Sequence, residues 1–117
     1  MTVQECYEMI GGDFEEVCGR MMDEARVKKF ALKFLSDKSY GMLVEAYEAG
    51  NMEDAFRAAH TLKGVSQNLG FTKLFEISHE ITEAFRPLQK VDVSAQMAQL
   101  KDVYDVTIAA VSQLENA

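Results

Sequence analysis

The chain has 117 residues, of which 48% are hydrophobic, and it contains one Pro and seven Gly. This length suits one domain with a real core, and a composition poor in Pro and rich in helix-favouring residues argues against a turn-rich β protein. The formal net charge of −7 disfavours nucleic-acid phosphates and anionic membranes as partners, so we expect a mostly α-helical protein that binds neither.

Two short amphipathic helices are expected over residues 1–21. Their apolar positions recur at helical spacing, first at Val3, Cys6, Tyr7 and Ile10 and then at Phe14, Val17, Cys18 and Met21. Asp13 can cap the second of these helices. Because helices this short are not stable alone, we expect them to cap one end of a larger bundle.

The two cysteines and the N-terminal segment indicate the cellular compartment in which we expect the protein. Cys6 and Cys18 fall at apolar positions, so we interpret them as reduced, buried thiols, with a disulfide between them as the open alternative. The N-terminus carries acidic residues early and lacks the apolar run of a signal peptide. No segment approaches the roughly 20 apolar residues of a membrane helix. We therefore expect a cytoplasmic protein.

Residues 24–115 are predicted to form an up-down antiparallel four-helix bundle, and residues 1–117 a single domain. The first part of the bundle, residues 24–49, is either one long kinked helix or two helices in line. The two alternatives arise because a polar stretch around Asp37 breaks the phase of the apolar stripe. All-α architecture with short N-terminal capping helices is therefore the expected fold.

Three further helices complete the predicted bundle. Asn51 can cap a helix over residues 52–69, and Thr72 can cap the next one, which Pro87 ends. The last helix is expected over residues 93–115, where apolar positions alternate in steps of three and four. Since the connections are short, successive helices should pack antiparallel.

The segment AFRAAHTLKGVSQNLG, residues 55–70, carries the candidate chemistry. On a helix that turns about 100° per residue, the residues of the predicted core face lie together on one side: Ala55, Ala59, Leu62, Ser66 and Leu69. His60 points to nearly the opposite side, so it is not placed as a core histidine. Its neighbours on that side, one or two turns away, are Phe56, Lys63, Gly64 and Gln67.

These neighbours suit phosphoryl transfer through His60. Neutral imidazole is a good nucleophile, and an exposed histidine is mostly neutral near about pH 7. Lys63 can offset negative charge on a group attached to the ring. Gly64 costs about 1 kcal/mol against Ala in a helix interior, but it leaves the imidazole uncovered. The segment has no metal-binding carboxylate cluster and no nucleotide-binding loop, so a partner must supply those parts.

The run AHTLKG, followed by S-x-N-L-G, resembles the signature of histidine phosphotransfer (HPt) domains. The shared order is a small residue, His, Leu two later, Lys three later, Gly four later, and Leu-Gly at nine and ten. The resemblance implies a four-helix bundle in which His60 is exposed and phosphorylated. It further implies that Lys63 supports the charge and that Gly64 clears space, with Gln67 and Arg86 as additional docking candidates.

The implied function is that of a phosphorelay intermediate. His60 would accept a phosphoryl group from the aspartyl phosphate of a response-regulator receiver domain and pass it to another receiver, with a hybrid histidine kinase as a further partner. The sequence offers no ATP-binding region, so we expect a free-standing carrier, not an enzyme, that uses no cofactor or metal. A single docking face predicts a monomer.

Several alternatives stay open at this point. The same face could bind receivers or kinases without phosphotransfer, or the chain could be the phosphorylatable domain of a chemotaxis-type kinase. Phe56 fits the edge of the core as well as a docking surface, and Arg86 fits a surface residue that counters the helix dipole. His79 has no Lys or Gly around it, so we expect a structural or solvated imidazole. Ligand spacing for a metal is missing.

Overall fold

A computed structural model describes residues 1–116 and is all-helical over them. The described part contains seven α-helices: α1 (Val3–Ile10), α2 (Phe14–Met21), α3 (Glu24–Lys33), α4 (Ser39–Ala49), α5 (Met52–Asn68), α6 (Thr72–Phe85) and α7 (Ser94–Ser112). Two 3₁₀ helices follow α3 and α7, at Phe34–Ser36 and Gln113–Asn116. The predicted all-α class is confirmed. Within the described residues, no helix has both the length and the apolar character needed to cross a membrane.

The central part of the fold is an antiparallel bundle built from α4 to α7. Each of these helices packs against the next one along the chain. The first connection is tight because Gly50 adopts a left-handed conformation (φ 73°) and the Asn51 side chain accepts a hydrogen bond from the Asp54 N–H at 3.1 Å. Asn51 therefore caps α5, as the sequence predicts. The core between the helices is apolar, and its largest fully buried side chains include Phe34, Leu43, Leu62, Leu74, Ile81, Phe85 and Leu100.

Residues 24–49 form two separate helices, so the alternative of one long kinked helix is wrong. After α3 the chain passes through the 3₁₀ turn, and Asp37 is extended (φ −71°, ψ 135°). The Asp37 carboxylate then accepts a hydrogen bond from the Ser39 N–H at 2.9 Å, at the first residue of α4. This local bond replaces a continuous helical ladder. As a result α4 packs along α5, whereas α3 packs on α1, α2 and α7.

The turn between α5 and α6 differs from the prediction that Thr72 caps the second helix. Phe71 occupies the N-cap position, and Thr72 is already helical, with its hydroxyl donating to the Gly70 carbonyl at 3.4 Å. The reason is the burial of Phe71, which is 1% exposed. Its ring lies 5.5 Å from the ring of Tyr7 and 5.4 Å from that of Phe34, measured between centroids. Packing of this aromatic group fixes where α6 begins.

The helices α1 and α2 cover the end of the bundle where α5 turns into α6. The buried Tyr7 hydroxyl donates to the Leu69 carbonyl at 2.6 Å, and the Asp13 N–H donates to the Gly70 carbonyl at 2.9 Å. Asp13 also caps α2 as predicted, accepting from the Glu16 N–H. The capping role expected for this pair of helices is therefore confirmed.

The two cysteines lie in these capping helices. Cys6 is buried, as predicted, but Cys18 is only partly buried, because it lies at the rim of the packed face of α2. Both are free thiols.

Candidate functional site

The helix α5 buries one face and presents His60 on the other. Ala55, Ala59, Leu62, Ser66 and Leu69 are all buried, which confirms the predicted core face. The Ser66 hydroxyl donates to the Leu62 carbonyl at 2.8 Å, so this polar group is satisfied within the helix. The small alanines let neighbouring helices approach closely, and His60 is exposed near the middle of the helix. The backbone thus holds the imidazole in water on a rigid element.

Gly64 lies one turn after His60 and faces open space. A Cβ atom built on Gly64 would meet no other heavy atom within 4 Å, apart from the neighbouring backbone of its own helix. The packing of this protein therefore gives no reason for a glycine at this position. Gln67 is exposed one turn further on, and Lys63 is partly buried. The structure brings these three residues onto the side of α5 that carries His60, as the sequence predicts.

The aromatic ring of Phe56 stacks on the imidazole of His60. The two ring centroids are 6.0 Å apart, and the ring planes are inclined by 18°. Phe56 is partly buried and packs against the core, so it belongs to the edge of the core and also borders the exposed face. Both interpretations of Phe56 are compatible with this position.

Arg86 reaches the site from the C-terminal end of α6. Its guanidinium carbon lies 5.4 Å from the centroid of the Phe56 ring, a cation–π contact. Arg86 therefore comes beside the site through antiparallel packing of α5 and α6, as expected. Its contact, however, is with Phe56, and the structure records none with His60.

Glu83 is a member of this cluster that the sequence analysis missed. Its carboxylate accepts two hydrogen bonds from Arg86, one from Nε at 2.9 Å and one from Nη2 at 2.8 Å. These bonds lower the pKa of Glu83 from 4.5 to about 2, and the charges of His79 and Lys63 act in the same direction. The spacing of three residues between Glu83 and Arg86 on one helix was the available signal.

His79 is a second exposed imidazole on α6. It stacks on Phe75 with a centroid distance of 5.8 Å and an interplanar angle of 20°, which is close to the geometry of the first pair. No glycine or lysine stands three or four residues after His79, where Thr82 and Glu83 are found instead. Among the described residues, no group of three or more His, Cys, Asp and Glu side chains is placed to hold a metal ion.

Comparisons with known proteins show the family of this chain. The family model for the Hpt domain matches residues 35–117. The chemotaxis protein CheA of Bacillus subtilis (strain 168) is 34% identical over 64 residues, which are 55% of this chain and 9% of that protein. The chain thus spans a small fraction of the relative's length, and no solved structure matches it significantly. The match to the family model covers most of the chain, and we conclude that the protein belongs to the Hpt domain family of phosphotransfer modules.

Proposed function

We propose that this protein is a phosphorelay intermediate that carries a phosphoryl group on His60. The observation that carries the proposal is the exposed imidazole in the middle of α5, with open space above Gly64 one turn away. The space above Gly64 leaves room for a partner to approach the exposed ring from that side. Family membership gives independent support for a phosphotransfer role.

The proposed reaction needs few groups from this chain. A nitrogen of the neutral imidazole attacks the phosphorus of an aspartyl phosphate in a receiver domain, the N–P bond forms, and the bond from phosphorus to the aspartyl oxygen breaks. The aspartate leaves as a carboxylate. Lys63 supplies positive charge beside the transferred group. A second receiver then takes the phosphoryl group onto its own aspartate by the reverse step.

The docking surface proposed for receivers surrounds His60 on α5 and α6. Phe56 supplies an apolar contact, Gly64 lets the partner's backbone approach, and Gln67 and Arg86 supply polar contacts. The partners would be response-regulator receivers and a hybrid histidine kinase, in the cytoplasm. In this role the chain is a monomeric carrier that binds neither nucleotide nor cofactor, and the partner provides the remaining catalytic groups.

The similarity to CheA favours a second candidate function. In that case His60 would receive the phosphoryl group from the ATP-binding core of a chemotaxis-type kinase and would not receive it from a receiver. The same face would be used, but the donor would differ. Incubation with such a kinase core and ATP, compared with incubation with a phosphorylated receiver, distinguishes the two donors.

A label-transfer experiment tests the proposed function. The protein is mixed with a receiver carrying radioactive phosphate on its aspartate, and the label on the chain is tested for the acid lability and base stability of phosphohistidine. We expect label on the wild type and on the His79→Gln control, and none on His60→Gln. Label on His60→Gln at the wild-type level would refute the assignment.

A further inference from the structure

A continuous series of contacts leads from α6 to the imidazole of His60. Glu83 binds Arg86 through two hydrogen bonds of 2.8 and 2.9 Å. The Arg86 guanidinium lies 5.4 Å from the centroid of Phe56, and the Phe56 ring stacks on His60 at 6.0 Å. Of the four residues, Phe56 is partly buried and packs against the core, whereas His60 is exposed. Glu83 lies at the far end of the series.

The geometry of each contact restricts the next one. A carboxylate that accepts two bonds from a guanidinium fixes the plane of that group as well as its position. The fixed guanidinium then prefers the electron-rich face of Phe56, because a cation is attracted to the ring quadrupole. With one face covered by Arg86, the ring of Phe56 remains nearly parallel to His60 (18°). Arg86 and Phe56 thus link Glu83 to the imidazole of His60, which Glu83 does not touch.

The Arg86 side chain needs such support. Its side chain is 53% exposed, and that of Glu83 is 44% exposed, so the ion pair lies at the surface, and the contacts of the guanidinium are those with Glu83 and Phe56. The Phe75–His79 pair provides an internal comparison, since its rings stack in a similar way. Over the part of the chain that the structure describes, no cation lies over Phe75. The series with a cation is therefore specific to His60.

We propose that Glu83 is a positioning residue for phosphotransfer. It holds Arg86 on Phe56 and thereby keeps the imidazole of His60 in the one orientation from which a ring nitrogen meets the phosphorus in line. This inference rests on the proposed function of His60. It assigns Glu83 no contact with the phosphoryl group and no part in proton transfer.

The test compares Glu83→Gln with Asp105→Asn. The control removes another exposed ion pair, Lys101–Asp105 at 2.7 Å, from the helix α7. Transfer from a phosphorylated receiver is measured over a range of receiver concentrations. We expect Glu83→Gln to lower the maximal rate about three- to tenfold, the loss expected from one cation–π and one aromatic contact, with the half-saturating concentration unchanged. Asp105→Asn should match the wild type.

A structural readout is recorded on the same variants. Nuclear Overhauser effects between the ring protons of Phe56 and His60 report the stacking directly. They should weaken in Glu83→Gln, while those between Phe75 and His79 persist. Thermal unfolding of the variant should stay close to that of the wild type, because the ion pair is exposed.

A charge reversal separates positioning from simple helix stabilisation. The double variant Glu83→Arg, Arg86→Glu keeps an ion pair on α6 but puts a carboxylate where the cation met Phe56. We expect transfer to remain slow in this variant. Restoration of the wild-type rate would overturn the proposal, as would equal rates and equal ring contacts in wild type and Glu83→Gln. If the wild type takes no label on His60, the proposed function and the role of Glu83 are both refuted. Equal rates of labelling in the wild type and Glu83→Gln refute only the role of Glu83.

Discussion

At the scale of one residue, the stability of the helix α5 does not explain why a glycine stands at position 64. Glycine is unfavourable in a helix interior, and an added Cβ atom at this position meets no atom within 4 Å. A fold selected only for stability would therefore place a better helix former here. The open space faces the same side as His60, which supports the proposal that the glycine serves contact with a partner.

Replacement of Gly64 should separate stability from transfer. We expect Gly64→Gln to raise the free energy of unfolding by about 0.5 kcal/mol, because Gln has the higher helix propensity, and to slow transfer from a receiver about tenfold. Gly41→Gln is the matched control, since Gly41 also lies in a helix with no atom within 4 Å of an added Cβ. Urea unfolding and label transfer measure both effects. Fast transfer by Gly64→Gln would contradict the docking role.

Lys63 is expected to act through its charge. Lys63→Gln removes the cation one turn from His60 and should slow transfer about tenfold, whereas Lys63→Arg should retain most of the rate because it keeps the charge. Rates of label uptake at fixed receiver concentration compare the two variants. An equal loss in both would show that the shape of the lysine, and not its charge, matters.

The sequence predicted the burial and exposure of side chains on α5 better than the side-chain contacts of α6. Helical spacing alone placed Leu62 and Ser66 in the core and His60 in water, because these positions depend on one helix. Glu83 was missed because its link to His60 passes through Arg86 and Phe56, and therefore depends on the register between two helices. Side-chain contacts across helices are set by packing, which a pattern within one helix does not contain.

At the scale of elements, the attachment of α2 to the α5–α6 turn depends on Gly70. Gly70 has a positive φ of 67°, and a Cβ atom built there would lie 2.0 Å from Cγ2 of Val17 and 3.1 Å from the carbonyl oxygen of Asp13. A side chain at this position would force α2 away from the turn. The capping helices and the helix that carries His60 are joined at this point.

Gly70→Ala should therefore destabilise the protein more than Gly50→Ala. Both glycines have positive φ, but the nearest atom to an added Cβ at Gly50 is the flexible Lys90 side chain at 3.4 Å. We expect a loss of about 1 kcal/mol for Gly50→Ala from backbone strain and at least about 2 kcal/mol for Gly70→Ala from strain plus the clash. Chemical denaturation measures both. Equal losses would mean that α2 moves aside without cost.

The boundaries of elements were predicted where a local signal decides them. Asn51 and Asp13 cap their helices as expected, since a short polar side chain needs only its own backbone. Thr72 fails to cap because burial of Phe71, a tertiary effect, sets the start of α6. The break near Asp37 was visible as a loss of phase, but the choice between a kink and two helices depended on how α3 packs.

At the scale of the whole molecule, burial of phenol groups links stability to alkaline pH. Burial raises the pKa of Tyr7, Tyr40 and Tyr104 above the ordinary value of 10.0, and it raises the pKa of the Cys6 thiol in the same way. A raised pKa means that the folded state favours the neutral form. The corresponding stability is complete below the ordinary pKa, which is 9.0 for the thiol and 10.0 for the phenols, and it is lost as the pH rises above those values, because the unfolded chain then ionises first.

Tyr7→Phe tests this linkage. At neutral pH the variant loses the hydrogen bond to the Leu69 carbonyl, which should cost about 1 kcal/mol. Between neutral pH and about pH 11, the free energy of unfolding should fall less steeply in the variant than in the wild type, since one ionisable phenol is missing. Urea unfolding at several pH values measures the slope. Parallel curves would show that Tyr7 ionises equally in both states.

The chain contains two exposed imidazoles that stack on phenylalanine rings in a similar way, and only one of them should carry phosphorus. After transfer from a phosphorylated receiver, a ¹H–³¹P correlation spectrum identifies the ring to which the phosphorus is bonded, using His60→Gln and His79→Gln for assignment. We predict a correlation to the ring protons of His60 and none to those of His79. A correlation to His79, or a spectrum without any phosphohistidine after the receiver has lost its label, would contradict the assignment of the site.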